Sequence, residues 1–229
     1  MTTSLKSPLD RHLSAVLADF LDQRPSSAEE DVHMIADIVD HVITRCSRPG
    51  EIVFDPFAGF GTTIARAVEL GREALGIELL PERVDYLRER TPAARIYEGD
   101  ARGMVRVLRA AGESSDGSVG LILTSPPYMT RENHDADPLT AYEEQDGNYT
   151  QYLNELGFVA AQCAHLVAPG GYVVWNVADI HHMSDTTHLI DDCRQVLAQH
   201  LVYIGTTEIV WDQYPHDLVA DALLVFQRR

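Results

Sequence analysis

The segment T-S-P-P-Y at residues 124–128 follows an apolar run, residues 119–123, that is typical of a buried strand. Adjacent prolines lack backbone N–H groups and end a strand. Ser125 Oγ and the Pro126 carbonyl can accept both hydrogens of an amino group, so that its nitrogen pyramidalises and directs its lone pair at an electrophile. Pro127 adds rigidity, and Tyr128 can stack on a flat substrate. The segment predicts an aryl-amine site, although a proline-terminated strand with a packing tyrosine fits the same residues.

A second candidate is the loop D-P-F-A-G-F-G-T-T at residues 55–63, which follows a short predicted strand and opens a predicted helix. Its glycines allow a tight turn and a close approach of backbone to ligand. The loop is neither G-x-G-x-x-G nor G-K-[ST], so a phosphate-binding loop is not expected. A carboxylate at Asp55 would oppose a phosphate and attract an ammonium group. An ordinary glycine-rich turn remains the alternative.

Two further acids follow predicted strands. Glu78 lies about 20 residues beyond the glycine loop, where an acid can bind ribose hydroxyls, and Asp100 is placed to accept from an adenine amino group. A single acid at a strand end is usually solvated. Because parallel strands share their carboxyl edge, three such acids together predict a pocket for a nucleoside with a cationic amino-acid tail, and S-adenosylmethionine is such a molecule.

The elements that must position these residues alternate between strand and helix, which predicts an α/β fold with a doubly wound, mostly parallel sheet. The last two strands have no helix between them and should form an antiparallel hairpin at one edge. The pattern predicts seven strands: 52–54, 74–77, 95–97, 119–124, 172–177, 202–211 and 219–227. The predicted helices are 62–70, 81–90, 102–111, 149–167 and 185–200.

Two regions are expected along the chain. Residues 1–28 form a helical extension in this interpretation, because Leu13, Val16 and Phe20 recur at helical spacing. Residues 29–229 form one α/β domain that begins with a helix, and no segment remains for a separate recognition domain.

Composition narrows the class of protein. The chain has 229 residues, 45% of them hydrophobic, and a net charge of −17, which disfavours nucleic acid because phosphate binding depends on Lys and Arg. Three dispersed cysteines fit reduced thiols in the cytoplasm. Neither a signal peptide nor a membrane span is expected. His181, His182 and His188 do not complete a metal set, so surface histidines and no metal are predicted.

Taken together, D-P-F-A-G-F-G-T-T and T-S-P-P-Y resemble the cofactor loop and catalytic motif of the amino-methylating DNA methyltransferases, which modify the exocyclic amine of cytosine or adenine. The resemblance covers about residues 29–227 and implies a Rossmann-like methyltransferase fold with S-adenosylmethionine as cofactor. The S-P-P-Y version leans toward the 4-amino group of cytosine. The resemblance to the family implies a catalytic set of Ser125, Pro126, Pro127 and Tyr128. The resemblance also implies the following cofactor-binding set: His33, Asp55, Pro56, Phe57, Ala58, Gly59, Gly61, Thr62, Thr63, Glu78, Leu79, Asp100 and Ala101.

The chain also departs from that family. It has no target-recognition segment, and Phe60 stands where a small residue is usual and could narrow the pocket. The segment 129–150 is acidic, with Arg131 against six acids: Glu132, Asp135, Asp137, Glu143, Glu144 and Asp146. Arg102, Arg106 and Arg109 form a basic cluster that is expected to be a solvated helix face.

Three functions therefore remain open. The first is a DNA or RNA amino-methyltransferase that reaches nucleic acid with a partner chain or as a homodimer. The second is the same chemistry on a small amine, heterocycle or peptide side chain, with the acidic segment as a lid. The third is a cofactor-binding regulator with an inactive site, against which the intact S-P-P-Y motif argues.

Overall fold

The structure is a computed structural model that describes residues 6–25, 33–113, 116–131, 137–141 and 147–228. At its centre is a nine-stranded sheet in the order β1-β8-β9-β6-β5-β2-β3-β4, with β7 paired to β6. The strands are β1 His12–Ala15, β2 Ile52–Asp55, β3 Glu73–Glu78, β4 Arg95–Glu98, β5 Val119–Thr124, β6 Val167–His182, β7 Asp185–Thr187, β8 Val202–Trp211 and β9 Leu218–Gln227.

Helices cover both faces of this sheet. The α-helices are α1 Leu17–Asp22, α2 Ala36–Cys46, α3 Thr62–Glu69, α4 Pro81–Arg90, α5 Met104–Ala110, α6 Tyr149–Leu166 and α7 Leu189–Ala198, and short 3-10 helices occupy Ala101–Gly103 and Pro138–Thr140. Apolar residues of α5, α6 and α7 form one core with the sheet, and those of α2, α3 and α4 form the other. The prediction of a doubly wound α/β fold is confirmed.

The parallel part of the sheet determines where a ligand can bind. The strands β6, β5, β2, β3 and β4 pair in parallel. From β2 the chain moves outward to β3 and β4, and it then crosses back to β5 on the other side of β2. Such a reversal leaves a crevice beyond the carboxyl ends of the two central strands. The glycine loop follows β2 and the S-P-P-Y segment follows β5, so both begin at this crevice.

The carboxyl-terminal part agrees with the predicted hairpin and differs in detail. Strands β8 and β9 are antiparallel, and β9 also pairs with β6. Strand β6 is longer than the predicted 172–177, because it continues along β9 and then pairs with β7. The helix predicted from residue 185 begins at Leu189, since residues 185–187 form β7.

The amino-terminal segment is not wholly helical, which corrects the predicted extension. Residues His12–Ala15 form β1, parallel to β8, and only Leu17–Asp22 are helical. The free edge of β8 offers backbone partners that override the helical spacing of the apolar residues. The sheet therefore has nine strands instead of seven, with β1 and β7 as the additions. The proposed domain boundary at residue 28 lies outside the described residues.

Two further findings concern the whole described chain. The three cysteines, Cys46, Cys163 and Cys193, are free and buried. Among the described residues, no helix is both long enough and apolar enough to cross a membrane.

Candidate active site

A single cavity of about 390 Å³ lies at the crevice between the ends of β2 and β5. The structure brings every predicted site residue to it, since the thirteen cofactor residues and the four catalytic residues named above all line this cavity. The glycine loop and the S-P-P-Y segment therefore line the same cavity, although 69 positions separate Asp55 from Thr124.

Asp55 lies at the tip of β2 and is only 3% exposed. Its Oδ1 accepts from Thr124 Oγ1 at 2.6 Å and from the Phe57 backbone N–H at 3.0 Å. Burial raises the pKa of Asp55 to about 6, and the nearby Glu78 charge acts in the same direction, while the Thr124 and Phe57 hydrogen bonds oppose it. The carboxylate is therefore costly to ionise without a cation and is suited to receive one. Its bond to Thr124 also ties the end of β2 to the end of β5.

The conformation of the glycine loop is fixed by close packing and by a hydrogen bond to Glu78. Gly61, the N-cap of α3, has φ of 86°, and a Cβ there would lie 2.2 Å from Leu87 Cδ2. Gly59 donates its N–H to Glu78 Oε2 at 2.7 Å, and the other oxygen, Oε1, accepts from the Leu80 N–H at 3.0 Å. Glu78 thus fixes the loop as well as lining the cavity. Each of its oxygens keeps a lone pair for a ribose hydroxyl.

The third predicted acid is already engaged by an arginine. Asp100 Oδ1 accepts from the Arg102 backbone N–H at 2.7 Å, and Oδ2 accepts from the guanidinium of the same residue at 2.7 and 2.8 Å. Arg102 also donates to Glu155 at 2.7 Å. The prediction that Arg102 belongs to a solvated face is wrong, because it is half-buried between two carboxylates. Asp100 lines the cavity, but only its remaining lone pairs are open to an adenine amino group.

The S-P-P-Y segment has a defined hydrogen-bond direction. Tyr128 Oη donates to the backbone carbonyl of Asn176 at 3.2 Å, and it lies 3.1 Å from Ser125 Oγ. A carbonyl can only accept and a phenol has one proton, so Ser125 must be the donor in the second bond. Burial and the Asp221 charge raise the pKa of Tyr128 well above its ordinary value, so the phenol keeps that proton. Both lone pairs of Ser125 Oγ are consequently directed away from Tyr128 and can accept from a substrate amine.

Neighbouring elements hold this segment in place. Tyr152 on α6 donates to the Pro127 carbonyl at 3.0 Å. The Arg131 backbone N–H donates to Thr187 Oγ1 at 2.9 Å, and its guanidinium bonds Asp192 at 2.9 Å. The loop after β5 is thus tied to α6, β7 and α7, so little reorganisation is needed when a substrate binds.

Several cavity residues were not predicted from the sequence. We call the part of the cavity next to Ser125 and Tyr128 the acceptor end. It is lined by Phe20, Asn176, Trp211 and Asp221. His33 stacks on Phe20 with ring centroids 4.4 Å apart, and Trp211 meets the edge of Phe20 at 5.5 Å. These residues come from α1, β6, β8 and β9, and the elements that carry them meet only through the sheet.

Three other predictions can be compared with the structure. Phe60 lines the cavity but packs on α4, with the Arg83 guanidinium 4.7 Å above its ring. Of the six acids in the segment 129–150, Asp137 is described and is buried, and Glu132, Asp135, Glu143, Glu144 and Asp146 lie outside the described residues. Within the described ranges, no cluster of three or more His, Cys, Asp or Glu side chains could hold a metal ion.

Comparison with known proteins supports the interpretation of the glycine loop. Residues 33–89, which contain the glycine loop, match the family model described as DNA methylase. DNA adenine methyltransferase YhdJ of Escherichia coli is 36% identical over 69 residues, which are 30% of this chain and 24% of that protein. Type II methyltransferase M.BamHI of Bacillus amyloliquefaciens is 38% identical over 69 residues, 29% of this chain and 16% of that protein. The chain thus spans less than a quarter of these relatives' length.

Solved structures share the fold over most of the chain. A TehB-like SAM-dependent methyltransferase from Corynebacterium glutamicum aligns with a TM-score of 0.56 and 16% identity, covering 83% of this chain and 87% of that one. A SAM-dependent methyltransferase from Methanosarcina mazei aligns with a TM-score of 0.59 and 9% identity, covering 82% and 96%. The predicted resemblance is confirmed: the chain has the Rossmann-like fold of SAM-dependent methyltransferases, and its segment 33–89 matches the amino-methylating DNA methylases.

Proposed function

We propose that this protein is an S-adenosylmethionine-dependent N-methyltransferase that methylates the exocyclic amine of a base in DNA, either the 4-amino group of cytosine or the 6-amino group of adenine. One observation carries the proposal. The buried carboxylate of Asp55 and the acceptor oxygen of Ser125 line the same cavity, at the tips of adjacent strands. A cationic methyl donor and an amine can therefore meet there.

The donor end fits the cofactor's three parts. Asp55, whose neighbours within hydrogen-bond distance are neutral donors, suits the ammonium group of the methionine tail. Glu78 suits the ribose hydroxyls, and Asp100 with Ala101 borders the space for the adenine ring. When bound, S-adenosylmethionine supplies an electrophilic methyl group on a sulfonium.

The acceptor end fits an amine whose lone pair is delocalised into a ring. Ser125 Oγ and the Pro126 carbonyl would each take one N–H of the amino group, which favours a pyramidal nitrogen with its lone pair turned toward the methyl group. The double proline and the bond from Tyr152 to Pro127 keep these acceptors rigid. Transfer then depends chiefly on positioning, with the reacting atoms about 3 Å apart.

Charge favours a second candidate, N-methylation of a small amine, heterocycle or peptide side chain. The net charge of −17 opposes a phosphate backbone, and near the cavity Arg102 and Arg131 already pair with carboxylates. We rank DNA first because the matching family model is described as DNA methylase and one relative is named as a DNA adenine methyltransferase. In that case a basic partner chain or a homodimer would deliver the duplex, and the target base would have to flip out of the stack.

The free buried cysteines fit a cytoplasmic enzyme.

The decisive experiment compares DNA from a host that expresses the wild-type chain with DNA from a host that expresses Ser125→Ala. Mass spectrometry of the hydrolysed nucleosides should show N4-methylcytosine or N6-methyladenine only with the wild type. Both hosts should lack their own amino-methylases. If both spectra are free of methylated amines while the purified protein binds S-adenosylmethionine, the small-substrate alternative replaces the first proposal.

A further inference from the structure

A fourth carboxylate lines the cavity, in addition to those of Asp55, Glu78 and Asp100. Asp221 on β9 is 5% exposed and lines the cavity. Its Oδ1 accepts from Asn176 Nδ2 at 2.6 Å, and its Oδ2 accepts from Trp211 Nε1 at 2.8 Å. Both donors are neutral. The carboxylate of Asp221 is therefore hydrogen-bonded, but neither donor neutralises its negative charge.

The described residues around Asp221 supply no cation that pairs with its carboxylate. Within the described part of the chain, no Lys, Arg or His forms an ion pair with it, and its third donor is the backbone N–H of Ala222. The titratable groups that sense its charge, Tyr128 and Tyr214, both have raised pKa values and are neutral phenols at ordinary pH. A buried charge with only neutral partners is costly, and a ligand that brings positive charge would offset that cost.

The position of Asp221 assigns it to the acceptor end. Asn176 joins it to the S-P-P-Y segment, because the Asn176 side chain bonds Asp221 while its backbone carbonyl accepts from Tyr128. At the donor end, Glu78 bonds Gly59 and Leu80, and Asp55 bonds Phe57 and also Thr124, the residue before Ser125. The cavity thus has an acid at each end.

We propose that Asp221 stabilises the positive charge that the substrate amine acquires during methyl transfer. The inference deepens the proposed function and depends on it. In the reaction the nitrogen lone pair forms the new N–C bond, and the C–S bonding pair stays on sulfur, which becomes a neutral thioether. The positive charge passes from sulfur to nitrogen, toward the acceptor end, until the extra proton leaves to solvent. A fixed carboxylate there favours the charge shift.

A binding experiment tests this inference without turnover. Sinefungin, S-adenosylmethionine and S-adenosylhomocysteine share the ammonium group of the amino-acid tail. Sinefungin carries a second ammonium group in place of the methyl that S-adenosylmethionine transfers, whereas S-adenosylhomocysteine has no group at that position. By calorimetry at pH 8, the wild type should prefer sinefungin, and Asp221→Asn should weaken sinefungin about tenfold while leaving S-adenosylhomocysteine unchanged. Asp212→Asn is the matched control, because Asp212 is an exposed acid on the same hairpin that does not line the cavity.

The outcomes separate the two levels of the proposal. An unchanged sinefungin preference in Asp221→Asn, with normal S-adenosylhomocysteine binding, overturns the role of Asp221 and leaves the proposed function intact. If the wild type binds neither nucleoside, the proposed function fails and the inference fails with it. Equal weakening of both ligands would make Asp221 a structural residue only.

Activity provides a second, independent readout. Burial raises the pKa of Asp221 to about 6, so kcat at saturating S-adenosylmethionine should rise with pH through that value and then level off. Asp221→Asn should lower kcat at the plateau about a hundredfold. It should also abolish the fall in kcat at low pH, which is the acid limb of the pH profile. Trp211→Phe removes one donor to the carboxylate and should move the limb to higher pH. A destabilised but otherwise unaffected enzyme would show a lower melting temperature with an unchanged limb, which would contradict the proposal.

Discussion

The two ends of the cavity are built differently. At the donor end, one short loop and two strand tips supply the polar groups, and each acid bonds a backbone N–H group within two residues or in the glycine loop. Asp55 also accepts from Thr124, which lies 69 positions away. At the acceptor end, the S-P-P-Y segment depends on groups that are distant along the chain. Asn176 lies 48 residues from Tyr128, and Asp221 lies 45 residues from Asn176.

This difference has a physical reason. A nucleoside with an amino-acid tail needs a close backbone approach and a few acceptors, which a strand, a turn and a helix start can provide locally. An amine that must be deformed and charged needs rigid acceptors and a directed field. Those come from packing several elements around one point. Substitutions at the donor end should therefore impair cofactor binding, and substitutions at the acceptor end should impair turnover.

The largest expected effect tests the donor end. Asp55→Ala should reduce S-adenosylmethionine affinity more than a hundredfold, because it removes a buried carboxylate that suits the ammonium group. Calorimetry measures the change, and Asp37→Ala on α2, an acid that does not line the cavity, is the control. Binding equal to that of the wild type would show that the tail is held elsewhere.

The next effect tests the acceptor end. Ser125→Ala should keep cofactor affinity within about twofold and lower kcat about a hundredfold, because it removes an acceptor for the substrate amine. Calorimetry and single-turnover methylation measure the two quantities on the same preparation. A parallel loss of cofactor affinity would break the division between the two ends.

A smaller effect tests the direction of the hydrogen bonds. Tyr128→Phe keeps the ring but removes the oxygen that receives the Ser125 proton, so Ser125 Oγ can rotate and present a donor to the amine. We expect kcat to fall about 20-fold with little change in melting temperature. Tyr203→Phe, an exposed tyrosine on β8, is the control. Full activity in Tyr128→Phe would show that ring stacking alone is required.

The smallest effect is a pH dependence of cofactor binding. Since burial raises the pKa of Asp55 to about 6, the residue is ionised above that pH and can pair with the ammonium group. Protonation below it removes the pair, so affinity at about pH 5 should be roughly tenfold lower than at about pH 8. Titration calorimetry at both values measures this, and Asp55→Asn should show no such difference. If the affinity of the wild type for S-adenosylmethionine rose on acidification, the ionised form of Asp55 would not be the form that binds the cofactor.

The doubly wound sheet and the two motifs of the site can be predicted from the sequence, because short local patterns of residues specify them. Alternating strands and helices determine a doubly wound sheet, and the residues that follow β2, β3 and β5 must share its carboxyl edge. The glycine loop and the double proline are local backbone signals for a close approach and a rigid strand end. All of the residues predicted for the site accordingly line the cavity.

The hydrogen-bond partners of the site residues and the elements that pack against them were decided only by the tertiary structure. The pairing of Arg102 with Glu155, the strand pairing of residues 12–15 with β8, and the packing of Phe20 on Trp211 all join segments that are distant along the chain. Such contacts depend on strand order and register. Local propensity and periodicity carry no information about either, because they report only neighbours within a few residues.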